Sequence, residues 1–352
     1  MIGLHGIRTP IGVDVGSRII KAVQLNVLRG RYRTAAISVV PRADAEKELS
    51  GQEIRELRRV LKRQGFQGRD IVLAAPDQSL LRGVFDLPRQ VSGAPVAQIA
   101  RMELSRMHQV QPDSFEMICW EPTAVGQSQS TMQAIAVGCP HETANAFLDQ
   151  FDENGFDVCA LDVRSAAAAR ACAPLILAPP AVTAILDLGW SATKLLIVCG
   201  GTVVYERLLA NSSLSALVAR LSEKFKIPGD SACQIISTMG LSAGADVQGL
   251  DEQTVAIIRR MSRGHFDGVL EGLQAPFAYV ARQYPGEGVK RMVLIGGGAS
   301  VAGVSKYLQE CLRVEVATAA PSDILESASH LLAKADNPAV TVALGLAKFT
   351  GV

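Results

Sequence analysis

The sequence predicts an α/β protein of two lobes around a shared cleft, and three observations carry that expectation. Residues 11–25, IGVDVGSRIIKAVQL, alternate apolar and polar positions around a Gly-Ser turn, the pattern of a β-hairpin. Residues 184–198, AILDLGWSATKLLIV, repeat it, with Asp187, Gly189 and Lys194 at the spacing of Asp14, Gly16 and Lys21. Near the end, the apolar run Arg291–Ile295 enters Gly296-Gly297-Gly298-Ala299-Ser300 and then a helix over Val304–Leu312. A strand, a glycine turn and a helix N-terminus allow a nucleotide to approach the backbone closely.

The residue types of the hairpin suit phosphate chemistry. A turn at Gly16 lets backbone amides converge on an anion, Ser17 adds a hydroxyl donor and Lys21 a positive charge. Asp14 repels phosphate but can hold a metal ion through water, and the metal can hold the phosphates. Asp187 offers the same from the second hairpin, so the two carboxylates are candidates to flank one Mg²⁺. An ordinary hairpin whose Asp and Lys pair with neighbours would carry the same residues. The duplication is what favours a shared cleft.

Composition narrows the function classes. The chain has 352 residues, enough for two lobes, with 48% hydrophobic and 20% charged residues. A net charge of +1 favours neither nucleic acid nor a membrane surface, and 5% aromatics leave no stacking platform for bases. The 7 cysteines are odd in number and lack a C-x-x-C pair, which reads as buried free thiols of a cytoplasmic protein. The 5 histidines show no ligand spacing. Residues 1–10 lack the apolar segment of a signal peptide. The uncharged apolar run Ala171–Leu186 is too short to span a bilayer and contains Pro174, Pro179 and Pro180. A membrane role would therefore come through a partner.

In chain order, a third strand is expected over Arg31–Val40. Ser50 and Glu53 form a capping box before the apolar stripe Ile54, Leu57, Leu61, a helix ending at Gly65. Its other face carries Arg55, Arg58, Arg59, Lys62 and Arg63, either a solvated face or a seat for an anionic partner or lipid headgroups. Strands follow over 71–75 and 80–87. Helix 92–106, strands 115–120 and 132–137 around the polar loop 126–130, helix 142–154 and strand 158–161 make an inserted α/β block over about 89–162. An Ala-rich helix at 162–172 and a Pro-rich linker at 174–180 lead to the second hairpin. Then come a strand at 203–209, helices at 214–225, 231–238 and 251–284, a Gly-rich loop at 240–248 and a closing helix at 338–349.

Three glycine-bearing elements in this order resemble the actin-like, Hsp70-like and sugar-kinase-like nucleotide-binding fold. Asp14, Ser17 and Lys21 match its first phosphate motif, Asp187-Leu-Gly189-x-x-x-Thr193 the second, and Ile295–Ser300 the adenosine motif. Gly345, in ALGLA, falls in the last connecting helix. Within that superfamily the chain resembles the PilM family of type IV pilus assembly, relatives of FtsA. The segment ENGFDVCALDVRSAAAARA is similar to the family's block before the second lobe, and PAVTVALGLAKF to its C-terminal helix. The resemblance implies a first lobe at 1–88, an inserted subdomain at 89–162, and a connecting helix and linker at 163–179. The second lobe then covers 180–213 and 286–337, with a helical subdomain at 214–285 and a closing helix at 338–352.

The resemblance further implies ATP with Mg²⁺ between the lobes, held by Asp14, Gly16, Ser17, Lys21, Asp187, Gly189, Thr193, Gly296, Gly297 and Gly298. It implies a cytoplasmic scaffold, peripheral to the inner membrane, that grips the N-terminal tail of a PilN-like inner-membrane protein; the related secretion platform protein GspL has a similar cytoplasmic fold. Other pilus or secretion components and self-association stay open. A groove for the tail is expected between Leu81, Val84 and Phe85 on one wall and Met102, Met107 and Phe115 on the other; each of these also suits plain core.

The sequence departs from the family pattern at the nucleoside. Ala210-Asn211-Ser212-Ser213-Leu214-Ser215 stands where a Gly-Gly helix start is usual, and Trp190 sits at a turn position that is usually small. Cys233 and Ile236 replace a carboxylate and an ammonium, which a thiol and an alkyl group cannot imitate. ATP is therefore expected to bind weakly or vestigially, with little hydrolysis. The alternatives are a sugar-kinase-like phosphotransferase, for which no catalytic Asp with a supporting motif is seen, and an FtsA-like filament-forming ATPase, against which a chain ending at Val352, just past the closing helix, counts.

Overall fold

The duplicated hairpin seeds two sheets of the same topology. The computed structural model of the chain describes residues 6–44, 47–88, 95–122, 131–241, 250–284, 286 and 288–350. The expected loop 126–130, most of the loop 240–248 and the start of the expected helix at 92 lie outside the described residues.

The first lobe begins with β1 (Ile7–Arg8), β2 (Ile11–Val15), β3 (Ile19–Leu28) and β4 (Arg31–Pro41). Then come α1 (Gly51–Arg63) and β5 (Asp70–Ala74). β2 and β3 pair antiparallel with Asp14 opposite Lys21. The Ser50–Glu53 capping box is formed at the start of α1, and Ile54, Leu57 and Leu61 are buried. On its polar face Arg55 donates to Asn154 Oδ1 (2.7 Å), while Arg59 and Arg63 pair with Glu56.

The next strand leaves this sheet. β6 (Leu81–Pro88), α2 (Val96–His108), β7 (Phe115–Trp120) and β8 (Thr131–Pro140) form a separate three-stranded sheet, order β6-β8-β7, with one helix. α3 (His141–Asp152) and β9 (Asp157–Asp162) return to the first lobe, where β9 pairs parallel with β5. The inserted unit is therefore about 81–140, and the expected limits of 89 and 162 are corrected at both ends. The reason is pairing: Val84 lies opposite Ile135, and Val72 opposite Ala160. An apolar strand's own sequence does not say which edge it joins.

α4 (Arg164–Cys172) crosses to the second lobe, made of β10 (Val182–Leu188), β11 (Thr193–Cys199), β12 (Thr202–Leu209), α5 (Leu214–Phe225), α6 (Gly229–Thr238), α7 (Glu252–Gln283) and β13 (Val289–Ile295). The chain continues through α8 (Val304–Leu312), β14 (Glu315–Thr318), α9 (Pro321–Ile324), β15 (Glu326–Ser327), α10 (Leu332–Ala335) and α11 (Thr341–Ala347). The sheet order β12-β11-β10-β13-β14 repeats β4-β3-β2-β5-β9, each with two antiparallel then two parallel pairings. The repeat seen in one hairpin thus extends over five strands. β15 adds a further strand to β4, from residues whose periodicity predicts no element.

α4 and α11 lie between the two sheets. One continuous core joins Val72 and Ala74 of the first sheet, Ala167 and Ala168 of α4, Val342 and Leu346 of α11, and Ile185, Leu196 and Ile295 of the second sheet. Burial of this apolar surface fixes the lobes against each other, which brings the two hairpin turns to one cleft.

Candidate functional site: the interlobe cleft

Asp14 stands near the end of β2, with a side chain 1% exposed. Its Oδ2 lies 2.7 Å from Lys21 Nζ on the paired strand, the cross-strand neighbour the hairpin register dictates. Its Oδ1 accepts from Arg164 Nη1. The second nitrogen of that guanidinium, Nη2, lies 3.7 Å from Asp187 Oδ2. Arg164 is the first residue of α4, so it reaches the cleft from between the lobes. A cation at a helix N-terminus opposes the helix dipole, so only the acids hold it there.

The electrostatics follow from this contact. Burial alone would raise Asp14, but the Arg164 and Lys21 charges hold its carboxyl below the usual range. Burial pushes Asp187 up; Arg164 pulls it back, and Asp14 raises it further. Arg164 is driven the other way: burial disfavours its charge, while Asp14, Asp187 and Asp77 together raise its affinity for the proton.

The two lysines of the repeat part company. Lys21 pairs within its own hairpin. Lys194 sits opposite Asp187 in register, yet its ammonium goes to Asp77, just after β5, and to Glu206 on β12 (3.0 Å). Arg82 of β6 joins the same group, paired with Asp77 and 3.4 Å from Glu206. Lys194 and Arg82 hold Asp77 low against the effect of burial.

A second tie crosses the cleft at its mouth. Arg18, in the first turn, pairs with Asp230 of α6 and donates to Cys233 Sγ at 3.0 Å. Its guanidinium lies 4.6 Å from the centre of the Trp190 ring in the second turn, a cation–π contact. Ile236 is buried in the second-lobe core. The residues expected to replace nucleoside contacts are thus engaged by the other lobe or by the core. Trp120 adds a third tie, donating from Nε1 to the Val203 carbonyl at 2.9 Å.

Other expected ligands are committed locally. The Gly16 amide donates to Ile19 O (3.0 Å), closing its own turn. Ser17 is half-buried beside it. The Gly189 and Trp190 carbonyls accept from Leu214 N and Ser215 N at the start of α5 (3.2 and 2.9 Å). Thr193 is wholly buried, its hydroxyl donating to Ser212 O (2.6 Å), so it braces β11 against the turn before α5 and its proton is not free for a phosphate. Gly296, at φ +82°, packs on Asp187, and Gly298 on Leu188, where an added Cβ would come within 2.8 Å. Gly297 alone of the three faces open space. The run is first a close-packing turn against β10.

The resemblance implies Mg²⁺-ATP here, and the residues present do not fit the metal. A guanidinium stands between Asp14 and Asp187, and both Asp14 oxygens already meet cations. Among the described residues no group of three His, Cys, Asp or Glu side chains could hold a metal ion. The expectation that Asp14 and Asp187 flank one Mg²⁺ is corrected on this ground. Sequence reasoning missed Arg164, Arg18 and Asp77. The signal for Arg164 was its charge, alone at the head of an Ala-rich helix.

The expected tail groove is divided by the small sheet. α2 covers one face, and there Leu81, Phe85 and Phe115 pack on Leu104 and Ala136. Phe115 is wholly buried against Gly138, so its expected role as a groove wall is corrected to core. Val84, Ile118 and Ile135 point to the opposite face by strand alternation and register. Val84 is 55% and Ile118 46% exposed. Met102 (55%) and Met107 (54%) are exposed on α2, whose buried side faces the sheet. The six residues therefore do not line one groove.

A family model described as type IV pilus assembly protein PilM matches residues 12–244, more than half of the chain. No curated protein matches it. Among solved structures, a PilM–PilN type IV pilus biogenesis complex superposes with a TM-score of 0.76 at 18% identity, covering 96% of this chain and 97% of that one. The ethanolamine utilization protein EutJ from Carboxydothermus hydrogenoformans gives 0.55 at 17% identity, covering 98% and 90%. MreB5 of Spiroplasma citri, bound to AMPPNP, gives 0.51 at 14%, covering 95% and 93%. These likenesses show an actin-like ATPase fold. No helix among the described residues is long and apolar enough to cross a membrane. With the family match over both hairpins and the fold shared end to end, the chain belongs to the PilM family of type IV pilus assembly proteins.

Proposed function

We propose that this protein is a cytoplasmic scaffold of a type IV pilus or related secretion platform that binds the cytoplasmic tail of a PilN-like inner-membrane protein. The observation that carries the reading is the unfilled face of the small sheet. α2 buries one face, whereas Val84 and Ile118 leave apolar side chains exposed on the other. That face is flanked by the body of the protein, where Val137 and Trp120 pack on Ala75, Leu80 and Val163. β6 and β7 are the sheet's outer strands, so an extended peptide can add to an edge and set apolar anchors against Val84 and Ile118. The likeness to a PilM–PilN complex supports a partner of that kind. ATP binds the cleft weakly or vestigially in this reading, since the chain's own residues occupy the expected contacts.

The test is the affinity of a fluorescent PilN-like tail peptide, from the same genome, for the full chain. Burying one aliphatic side chain contributes about 1.5–3 kcal/mol, so Val84→Asp and Ile118→Asp should each weaken binding by at least about tenfold. Met102→Glu and Met107→Glu, on the outer side of α2, should change it little. Equal binding by Val84→Asp and the native chain refutes the assignment of this face.

A further inference from the structure

The carboxylates at the lobe boundary form a closed set with the cations around them. Asp14 meets Lys21 and Arg164; Asp187 meets Arg164; Asp77 and Glu206 share Lys194 and Arg82. Four carboxylates thus face four cations, and the set is neutral before any ion enters. A divalent cation between Asp14 and Asp187 would meet a guanidinium already in place, in surroundings that screen like charges poorly. Moving Arg164 aside would strip one of the two cations from Asp14, whose carboxylate is 1% exposed and so poorly placed to be solvated in exchange.

From this we infer that Arg164 is the resident cation of the cleft. It joins Asp14 of the first lobe to Asp187 of the second in the position a nucleotide-bound metal would need, so the lobes close without metal. The contacts that point the same way are independent of Arg164: Lys194 to Asp77, Arg18 to Asp230, and Trp120 to the Val203 carbonyl all join lobe to lobe. This site is separate from the tail-binding face, and failure of one reading leaves the other standing.

The inference predicts a latent metal site that appears when the guanidinium is removed. Arg164→Ser leaves two carboxylates from different lobes facing each other, with Lys21 paired to Asp14 and Lys194 opposite Asp187 but committed to Asp77 and Glu206. The probe is Mn²⁺ alone, its bound fraction read by electron paramagnetic resonance on the full chain. The native protein should leave Mn²⁺ free at equimolar concentration. Arg164→Ser should bind one Mn²⁺ per chain, and adding Asp14→Asn should abolish that uptake. If the Ser variant does not fold, Arg164→Gln keeps a donor to Asp14 while removing the charge. Mn²⁺ uptake by the native chain that Asp14→Asn releases would overturn the inference, as would folded charge-removed variants that take up none. A nucleotide arm adds an independent check: a native chain that binds ATP at least about tenfold more tightly with Mg²⁺ than with a chelator, in a manner lost in Asp14→Asn, also overturns it.

Discussion

The same substitution, Gly to Ala, should have opposite signs at two helical positions of this chain. Gly345 lies in α11 where it crosses α4 backbone to backbone. A Cβ there would come 2.5 Å from the Ala167 carbonyl carbon and still closer to its oxygen. Both neighbours are main chain, and the contact is sealed by Arg170 Nη1 donating to Gly345 O at 2.8 Å. The helices would have to part by roughly 1.5 Å, enough to forfeit much of the dispersion between their faces. Overpacking of this kind costs about 1–3 kcal/mol or more, against a helix-propensity gain of about 1 kcal/mol. Contacts this short with main-chain atoms put the cost at the upper end, so the net expectation is a loss of about 2 kcal/mol, or roughly 3 °C in Tm for a chain of this length. Gly264, in α7, has nothing within 4 Å of an added Cβ. There the propensity gain stands alone, so Gly264→Ala should stabilise by about 0.5–1 kcal/mol. Urea unfolding followed by far-UV circular dichroism gives both numbers. Tryptophan fluorescence adds the lobe contact, because Trp120 and Trp190 both take part in ties between lobes. A Gly345→Ala protein as stable as the native one would refute the claim that α4 and α11 are in backbone contact.

Other expectations follow from single groups. His265 is buried beside Arg220, and burial first, then that charge, lowers its pKa from 6.5 to about 4. The unfolded chain therefore binds a proton below about pH 6.5 that the folded one refuses until about pH 4. This contribution to stability is full above that window and declines through it by up to about 3 kcal/mol; a urea-midpoint series should be flatter in His265→Gln. Trp120→Phe leaves the Val203 carbonyl without its donor and should cost about 1–2 kcal/mol in the same unfolding assay. Burial lifts the Cys172 thiol to about 12, whereas Cys159 and Cys311 are exposed, so a maleimide should label the exposed pair first and leave Cys172 intact in peptide mapping. Hydrolysis of ATP by the isolated chain should stay below about 1 s⁻¹ in a phosphate-release assay, and turnover above that would argue for an enzyme.

Much of the fold was legible because its elements are local. α5 and α8 occupy the residues their apolar periodicity assigns, and β7 spans Phe115–Trp120 as expected. The capping box at Ser50 and Glu53 formed where the residue spacing placed it. The short pieces between residues 315 and 335 were not legible. β14, β15 and α9 have only 2 to 4 residues each, too few for a period to emerge. The ends of the small sheet are not legible because the alternation in β6 and β9 marks a strand without saying which sheet it joins. Its expected groove failed for the related reason that Val84 and Phe85, adjacent in sequence, point to opposite faces.

The sequence by itself determined the two hairpins and the registers that set Asp14 opposite Lys21 and Asp187 opposite Lys194. A turn and a period of two fix a cross-strand neighbour only a few residues away. It also determined the glycine turn after β13. Only the tertiary structure decided what the aspartates would face. Arg164 lies 150 residues from Asp14, and Lys194 lies 117 from Asp77. Those pairs exist because burial of the core around α4 and α11 sets one sheet against the other. The charges then settle with whatever partners the docked lobes present, and between Asp14 and Asp187 that partner is the Arg164 guanidinium.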